Sequence, residues 1–303
     1  MHTAKNQTTP CETTVELSMM RPMLGTFVEI SVTHFDPPSA QRAIDEAFTE
    51  IDTIHRLMSF HRPGSDIARL NQCAHRGPVR VDPRTYDVLE CALEISTASS
   101  GIFDVSIGNT LAAEGHLPRH DDWPAAHPMA NFRDILLLAN GEVEFSRALW
   151  VDLGGIAKGY AVDRAAHILT QANCLDGRVN AGGEIRVFGE RQESVCLRVP
   201  NYPATSVPTI ELERGGLASS ACNSGQDSSA TAGSSAHRHG ISRRPLREQR
   251  FASVVNERCM IADALTKVVL ALGAEAEPIL EQFRAASVMY DSRSGWIETG
   301  QTT

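Results

Sequence analysis

The chain has no apolar run long enough to span a bilayer. Its opening stretch, MHTAKNQTTPCETTVELS, lacks the apolar core of a secretory signal, and Cys11 follows a polar segment rather than a lipoprotein signal. No membrane insertion is expected, and the protein is expected to stay where it is made. No Cys-x-x-Cys pair occurs among the seven scattered cysteines, an odd number, so reduced thiols in a cytoplasmic protein are expected. Positive charge is in deficit: 28 Lys and Arg stand against 37 Asp and Glu, a net charge of −9. Such a surface repels polyanions, which excludes nucleic acid as the main partner, and an anionic small molecule needs a local positive site. There is no repeat at a fixed period, no Walker A loop and no G-x-G-x-x-G fingerprint.

What is present is ordinary in bulk: 303 residues, 42% hydrophobic and 21% charged, enough to bury a large core. Residues 1–18 read as a disordered tail, and 19–303 as one domain. Gly25–Val32 alternates and is β-branched, so it reads as a strand. Ile44, Ala47, Phe48, Ile51, Ile54 and Met58 form a helical stripe, with Ser39 as the expected N-cap. A helix is expected over YDVLECALEIS, a hairpin around Asn140-Gly141, a strand at Val151–Leu153 and a helix from Tyr160 to Ala172. Strands follow in EIRVFG, VCLRV, TIELE and GLASS, then a helix in MIADALTKVVLALG ending at Gly273, then a last strand in SVMYD. The Ser/Ala/Gly-rich segment at about 221–238 reads as a mobile loop, and it finishes on His237 and His239. Strands in runs with helices between them predict an α+β fold with a mostly antiparallel sheet and packed helices.

Three segments carry chemistry. VDLGGIAKGYAVDRA (Val151–Ala165) sets Asp152, Gly154, Gly155 and Lys158 at the mouth of a helix. Glycines admit a ligand close to the backbone, a helix N-terminus favours anionic oxygen, and Lys158 adds a full charge where a phosphate would sit. The competing reading is a tight strand-to-helix corner with a solvated lysine. VNAGGEIRVFG (Val179–Gly189) is a second glycine corner, and two such corners around one helix favour a backbone-lined cleft. In CMIADALTKVVLALG, Asp263 sits on an otherwise apolar helix, where a buried carboxylate needs a partner or a cation. Lys267 lies four residues on, and an Asp263–Lys267 pair at a solvent edge is the plain alternative.

Together these segments resemble the ApbE family, the FAD:protein FMN transferases, from about Leu24 to the end of the chain. Leu24-Gly25-Thr26, MSFHRPGSDIARLN, SSGIFDVSIGNTL, DLGGIAKGYAVD, NAGGEI and the Ala-Asp-Ala-Leu helix follow in the family's order. The resemblance implies an ApbE-like fold and a transferase that binds FAD with Mg²⁺ on its phosphates. It implies attack by a threonine or serine hydroxyl of an acceptor flavoprotein on the FMN-side phosphorus, with release of AMP. Gly155, through its carbonyl, and Asp263 would hold the metal. Asp152 and Lys158 would contact FAD, and Leu24, Ile102, Phe103 and Asp104 would line its flavin or adenine part. An FAD pyrophosphatase giving FMN and AMP, and a non-catalytic FAD-binding protein, are the alternatives.

Two departures from the family pattern stand out. Family members carry threonine four residues after the helix aspartate as a further metal ligand, and here that position is Lys267, with Thr266 one step off. An ammonium cannot ligate Mg²⁺, but it can sit in its place and neutralise pyrophosphate. The family's His-x-Ile-Asp-Pro-x-Thr-Gly stretch becomes HRHGISRRPLRE, in which His239 and Ile241 are the expected counterparts. His239 with Asp263 is thus expected among the catalytic residues, and Ile241 and Lys267 among those at the cofactor.

Overall fold

The structure is a computed structural model that describes residues 14–199, 207–222, 235–246 and 249–300. In chain order its elements are β1 (Val15–Met23), β2 (Thr26–His34), α1 (Pro37–Met58), α2 (Asp66–Cys73), β3 (Val79–Arg80), α3 (Pro83–Ala98), α4 (Gly108–Ala113), β4 (Ile135–Leu138), β5 (Glu142–Phe145) and α5 (Ala157–Gln171). There follow β6 (Asp176–Ala181), β7 (Ile185–Phe188), β8 (Glu193–Cys196), β9 (Thr209–Leu212), β10 (Gly215–Cys222), β11 (Arg250–Asn256), α6 (Cys259–Leu272), α7 (Glu277–Gln282), β12 (Ala286–Asp291) and β13 (Gly295–Thr299).

One sheet of eight strands, in the order β1-β2-β6-β7-β10-β11-β12-β13, forms the frame. Every neighbouring pair in it is antiparallel, as the α+β expectation required. Helices α1, α5 and α6 pack side by side over it: α1 on β1 and β2, α5 on β6 and β7, α6 on β10 and β11. The apolar stripe of α1 does this with Ile44, Phe48, Ile51 and Ile54 fully buried. Leu265, Val268, Val269 and Leu270 of α6 are buried as completely, each worth roughly 1.5–3 kcal/mol of burial.

Several expectations are corrected. Val15–Ser18, assigned to the tail, are the first residues of the nine-residue strand β1; residues 1–13 lie outside the described residues. Of the loop at about 221–238, Ala221 and Cys222 end β10, residues 235–238 are described, and 223–234 lie outside the described residues. The N-cap of α1 is Asp36, whose carboxylate accepts the Ser39 N–H at 3.0 Å; Pro37 and Pro38 fill the first turn, where no N–H is missed. Val151 and Leu153 are buried, but Val151–Leu153 is not a strand. The Asn71 side chain takes the Val151 N–H and C=O at 2.6 and 3.0 Å, and the Asp152 N–H goes to Val105 O. Those bonds satisfy the backbone without a ladder. SVMYD is not the last strand, since β13 pairs with it. The Asn140-Gly141 hairpin is present, but Leu138 pairs with Glu142, so three residues rather than two make its loop, with Asn140 and Gly141 both at positive φ.

Candidate active site

The motif helix α5 and the aspartate helix α6 cross at a glycine. A Cβ on Gly159 would lie 2.4 Å from the Cys259 carbonyl oxygen, so only glycine lets the two backbones approach this closely. Asp163, one turn further along α5, accepts the backbone N–H groups of Cys259 and Met260 at 2.9 Å each. Its carboxylate thereby caps the otherwise unpaired first turn of α6 and faces the positive end of its dipole. Gly159 and Asp163 of the motif are therefore spent on holding the helices together, and the crossing puts Lys158 beside Asp263.

Four charged side chains meet at this crossing. Lys158 donates to Glu184 Oε1 at 2.6 Å, and Lys267 pairs with Asp263 Oδ1. The Asp263 side chain is fully buried and its Oδ2 accepts the Gly159 N–H at 3.1 Å. Lys267 is only 12% exposed and also donates to the Asp263 carbonyl at 3.0 Å. This excludes the solvent-edge alternative: the pair lies in the interior, with Lys267 reaching a cavity. Glu184, buried at the second glycine corner, has its carboxyl pushed up to about 7 by burial and by the Asp263 charge, against the pull of Lys158 and Lys267. Its second oxygen has no hydrogen-bond partner among the described residues. Lys158 is opposed by burial, but the charges of Glu184 and Asp263 prevail and raise its pKa.

Above the two lysines opens a cavity of about 670 Å³. Ile54, Met58, Phe60, Leu111 and Leu117 line it, as do Asp152, Gly154, Gly155, Lys158, His237 and Lys267. A mostly apolar cleft with a few convergent polar groups is the usual form of a site for a planar organic ligand with a charged end. Burial pushes the Asp152 carboxyl above the usual range, against the stabilising Gly154 N–H. Burial, with the positive charge of Lys267, depresses His237 to about 3, so its ring is neutral.

A family model of the ApbE family matches residues 24–289. The chain belongs to the ApbE family. A curated relative from Vibrio cholerae serotype O1, named FAD:protein FMN transferase, is 26% identical over 286 residues, covering 88% of this chain and 84% of that protein. Another of that name, from Treponema pallidum, is 31% identical over 190 residues, 57% of this chain and 52% of its own. Among solved structures, the ApbE protein of Thermotoga maritima superposes with a TM-score of 0.80 at 22% identity, over 94% of this chain and 97% of that one. The flavin transferase ApbE of Vibrio cholerae gives 0.75 at 20%, over 96% and 98%. At these identities the structural likeness speaks to the fold.

Placed on this ApbE fold, the expected residues divide. Leu24, Ile102, Phe103, Asp104, Asp152, Gly155, Lys158 and Lys267 line the one cavity, and Asp263 lies directly beneath Lys267. Leu24 does so from the tip of the β1–β2 hairpin, at φ 55°. His239 and Ile241 do not line it. The Ile241 side chain is 62% exposed, and His239 Nδ1 accepts the Ser242 N–H at 3.3 Å. Of the two histidines in this segment, His237 lines the cavity, together with His55, His61 and His116 from other segments. The segment folds back on itself, with Leu246 N–H on His237 O and His239 N–H on Arg244 O. It docks through Gly240, whose N–H donates to Ile102 O and whose Cβ would strike Gly101 O at 2.1 Å. Arg243 completes the docking by donating to Asp104 Oδ2 at 3.0 Å, while Asp104 Oδ1 accepts the Ser106 N–H. Asp104 therefore anchors this loop as well as lining the cavity. Glu184 and His237 are the residues that the sequence reading did not assign. Glu184 stood inside the quoted NAGGEI, where a carboxylate beside two glycines was the available signal.

The expected metal ligands were Gly155 and Asp263. Both oxygens of Asp263 are engaged, one by the Lys267 ammonium and one by the Gly159 N–H. The Lys267 stem passes Gly155, its Cε 3.4 Å from where a Cβ would sit. Among the described residues no group of three or more His, Cys, Asp or Glu side chains is placed to hold a metal. This donor set does not fit a resident divalent ion, because a cation of the chain's own already faces the carboxylate.

Proposed function

We propose that this protein is an FAD:protein FMN transferase, which moves the FMN part of FAD onto a threonine or serine of an acceptor flavoprotein. The observation that carries the reading is that Lys158, Lys267 and the Gly154-Gly155 corner line one largely apolar cleft, in a chain of the ApbE family. The relatives' name supplies the reaction. Two ammonium groups and a helix N-terminus suit a pyrophosphate, and the apolar wall suits the rings on either side of it. The acceptor oxygen bonds to the FMN-side phosphorus as the bond from that phosphorus to the bridging oxygen breaks. AMP leaves with that oxygen, and the hydroxyl proton is released. Catalysis of this kind is positioning and charge neutralisation, and Asp152, Lys158, Lys267 and the neutral His237 are among the groups this chain offers for it. The resemblance adds Mg²⁺ at Gly155 and Asp263; the donor set there does not fit it, and no step here runs through a metal.

Among the described residues no helix is long and apolar enough to cross a membrane. A reducing, cytoplasmic setting is part of this reading, supported by the free thiols of Cys73, Cys91, Cys174, Cys196, Cys222 and Cys259. The test mixes the purified protein with FAD, with and without a candidate acceptor flavoprotein. AMP is followed by nucleotide chromatography and bound FMN by intact-protein mass spectrometry. AMP with an acceptor heavier by one FMN group is the expected result. AMP and free FMN without any acceptor would make the protein an FAD pyrophosphatase, and FAD binding without AMP would make it a binding protein.

A further inference from the structure

In most carboxylate–metal sites the cation is a guest. At Asp263 it belongs to the chain. The carboxylate is fully buried, and its ion-pair partner is Lys267, one helical turn along α6. The geometry of that lysine is fixed twice over. Its ammonium bonds both the Asp263 carboxylate and the Asp263 carbonyl, and its stem packs alongside Gly155, its Cε 3.4 Å from where a Cβ would sit. An ammonium has three donors, and two are spent on Asp263. The third has no partner among the described residues, and the side chain lines the cavity beside Lys158. A point charge with a spare N–H, beside a second ammonium, is what a pyrophosphate bridge would otherwise receive from a bound cation.

We propose that the Lys267 ammonium stands in the place of a divalent cation, so that this protein binds the pyrophosphate of FAD through Lys267 and Lys158 without Mg²⁺. The proposal rests on the FMN transferase reading of the cavity. It makes Lys267 a ligand-binding group, and it makes Asp263 the residue that positions it.

The experiment is a titration of FAD, followed by flavin fluorescence, in chelator and in excess Mg²⁺. It uses the full chain, Lys267→Thr, and the double variant Asp263→Asn/Lys267→Met, which removes both charges at once and leaves no lone buried carboxylate. A thermal melt with Mg²⁺ alone is run beside it. The wild type is expected to bind FAD equally in both buffers, within about twofold, and to show no thermal shift with Mg²⁺. Lys267→Thr is expected to lose about tenfold or more in chelator, to recover in Mg²⁺, and to melt higher when Mg²⁺ is added, because Asp263 is then open to the ion. The double variant is expected to bind about tenfold more weakly in both buffers. A wild type whose affinity drops tenfold in chelator overturns the proposal and leaves the FMN transferase reading intact. So does a Lys267→Thr protein, or a double variant if the single one does not fold, that binds like wild type in chelator. A wild type that binds no FAD in either buffer removes the transferase reading itself, and the proposal falls with it.

Discussion

Two lysine–carboxylate pairs lie at the crossing of α5 and α6, and they differ in how firmly they are tied. Lys267 and Asp263 belong to one helix, with side chains 12% and 0% exposed, and the ammonium is held by a second bond to the Asp263 carbonyl. Lys158 and Glu184 come from α5 and the corner before β7, with side chains 35% and 2% exposed and one bond between them. Glu184 is moreover only about half ionised at pH 7, since its carboxyl is pushed up to about 7. One pair is a fixed fitting of the fold, and the other is a contact that an arriving phosphate can compete for. Identical functional groups thus take different parts because burial and connectivity differ, not chemistry.

The largest way to break the contrast is to remove one ammonium at a time. Lys267→Ala strands a fully buried carboxylate and should cost about 3–5 kcal/mol of stability in urea denaturation. Asp263→Asn/Lys267→Met should regain most of that loss. A single variant as stable as wild type would mean that Asp263 is neutralised by something other than Lys267. Lys158→Ala should be milder, because a side chain 35% exposed is partly screened: ~1 kcal/mol of stability, with FAD affinity lower by about tenfold.

Proton linkage sharpens the contrast next. A carboxyl raised in the folded state stabilises it fully below its unfolded value of 4.5, and the contribution disappears as pH rises through about 7. Glu184→Gln should therefore flatten the decline of melting temperature between those pH values, and parallel curves for the two proteins would refute the assignment. His237 works in the opposite sense. The unfolded imidazole takes a proton below 6.5, and the folded one refuses it until about 3, so stability falls as pH drops below 6.5. His237→Asn should remove that acid-side loss. The smallest effects belong to the outer face of the loop. His239→Ala and Ile241→Ala should each change stability by less than about 0.5 kcal/mol and leave FAD affinity unaltered. A tenfold loss of affinity in either variant would return these residues to the site.

Periodicity made α1 and α6 legible, and turn chemistry made the Asn140-Gly141 hairpin legible, because both signals are local. The motifs also drew out Asp152, Gly155 and Lys158, which line the cavity, and Asp263 beneath Lys267, while their roles toward FAD belong to the proposal. The misses have non-local causes. Val151–Leu153 has the apolar content of a strand, yet Asn71, 80 residues earlier in the chain, supplies its backbone partners. Asp176–Ala181 carries Gly177 and polar residues through the middle of the sheet, where two flanking strands impose the extended form that its own composition does not. His237 and His239 are two residues apart in a segment with no period. Which of them meets the cavity is decided by Gly240 seating on Gly101 and by Arg243 reaching Asp104, contacts made across more than 130 residues.

The contact of Gly159 with Cys259 also makes the site a gauge of fixed width. A single methyl group at position 159 has nowhere to go but against the carbonyl of the neighbouring helix, 2.4 Å away. Relieving that clash requires α5 and α6 to move apart at their crossing, which changes the distance between Lys158 on one helix and Lys267 on the other. Variants at this position should therefore alter the span of the anion accepted, and second-site suppressors should gather at the start of α6.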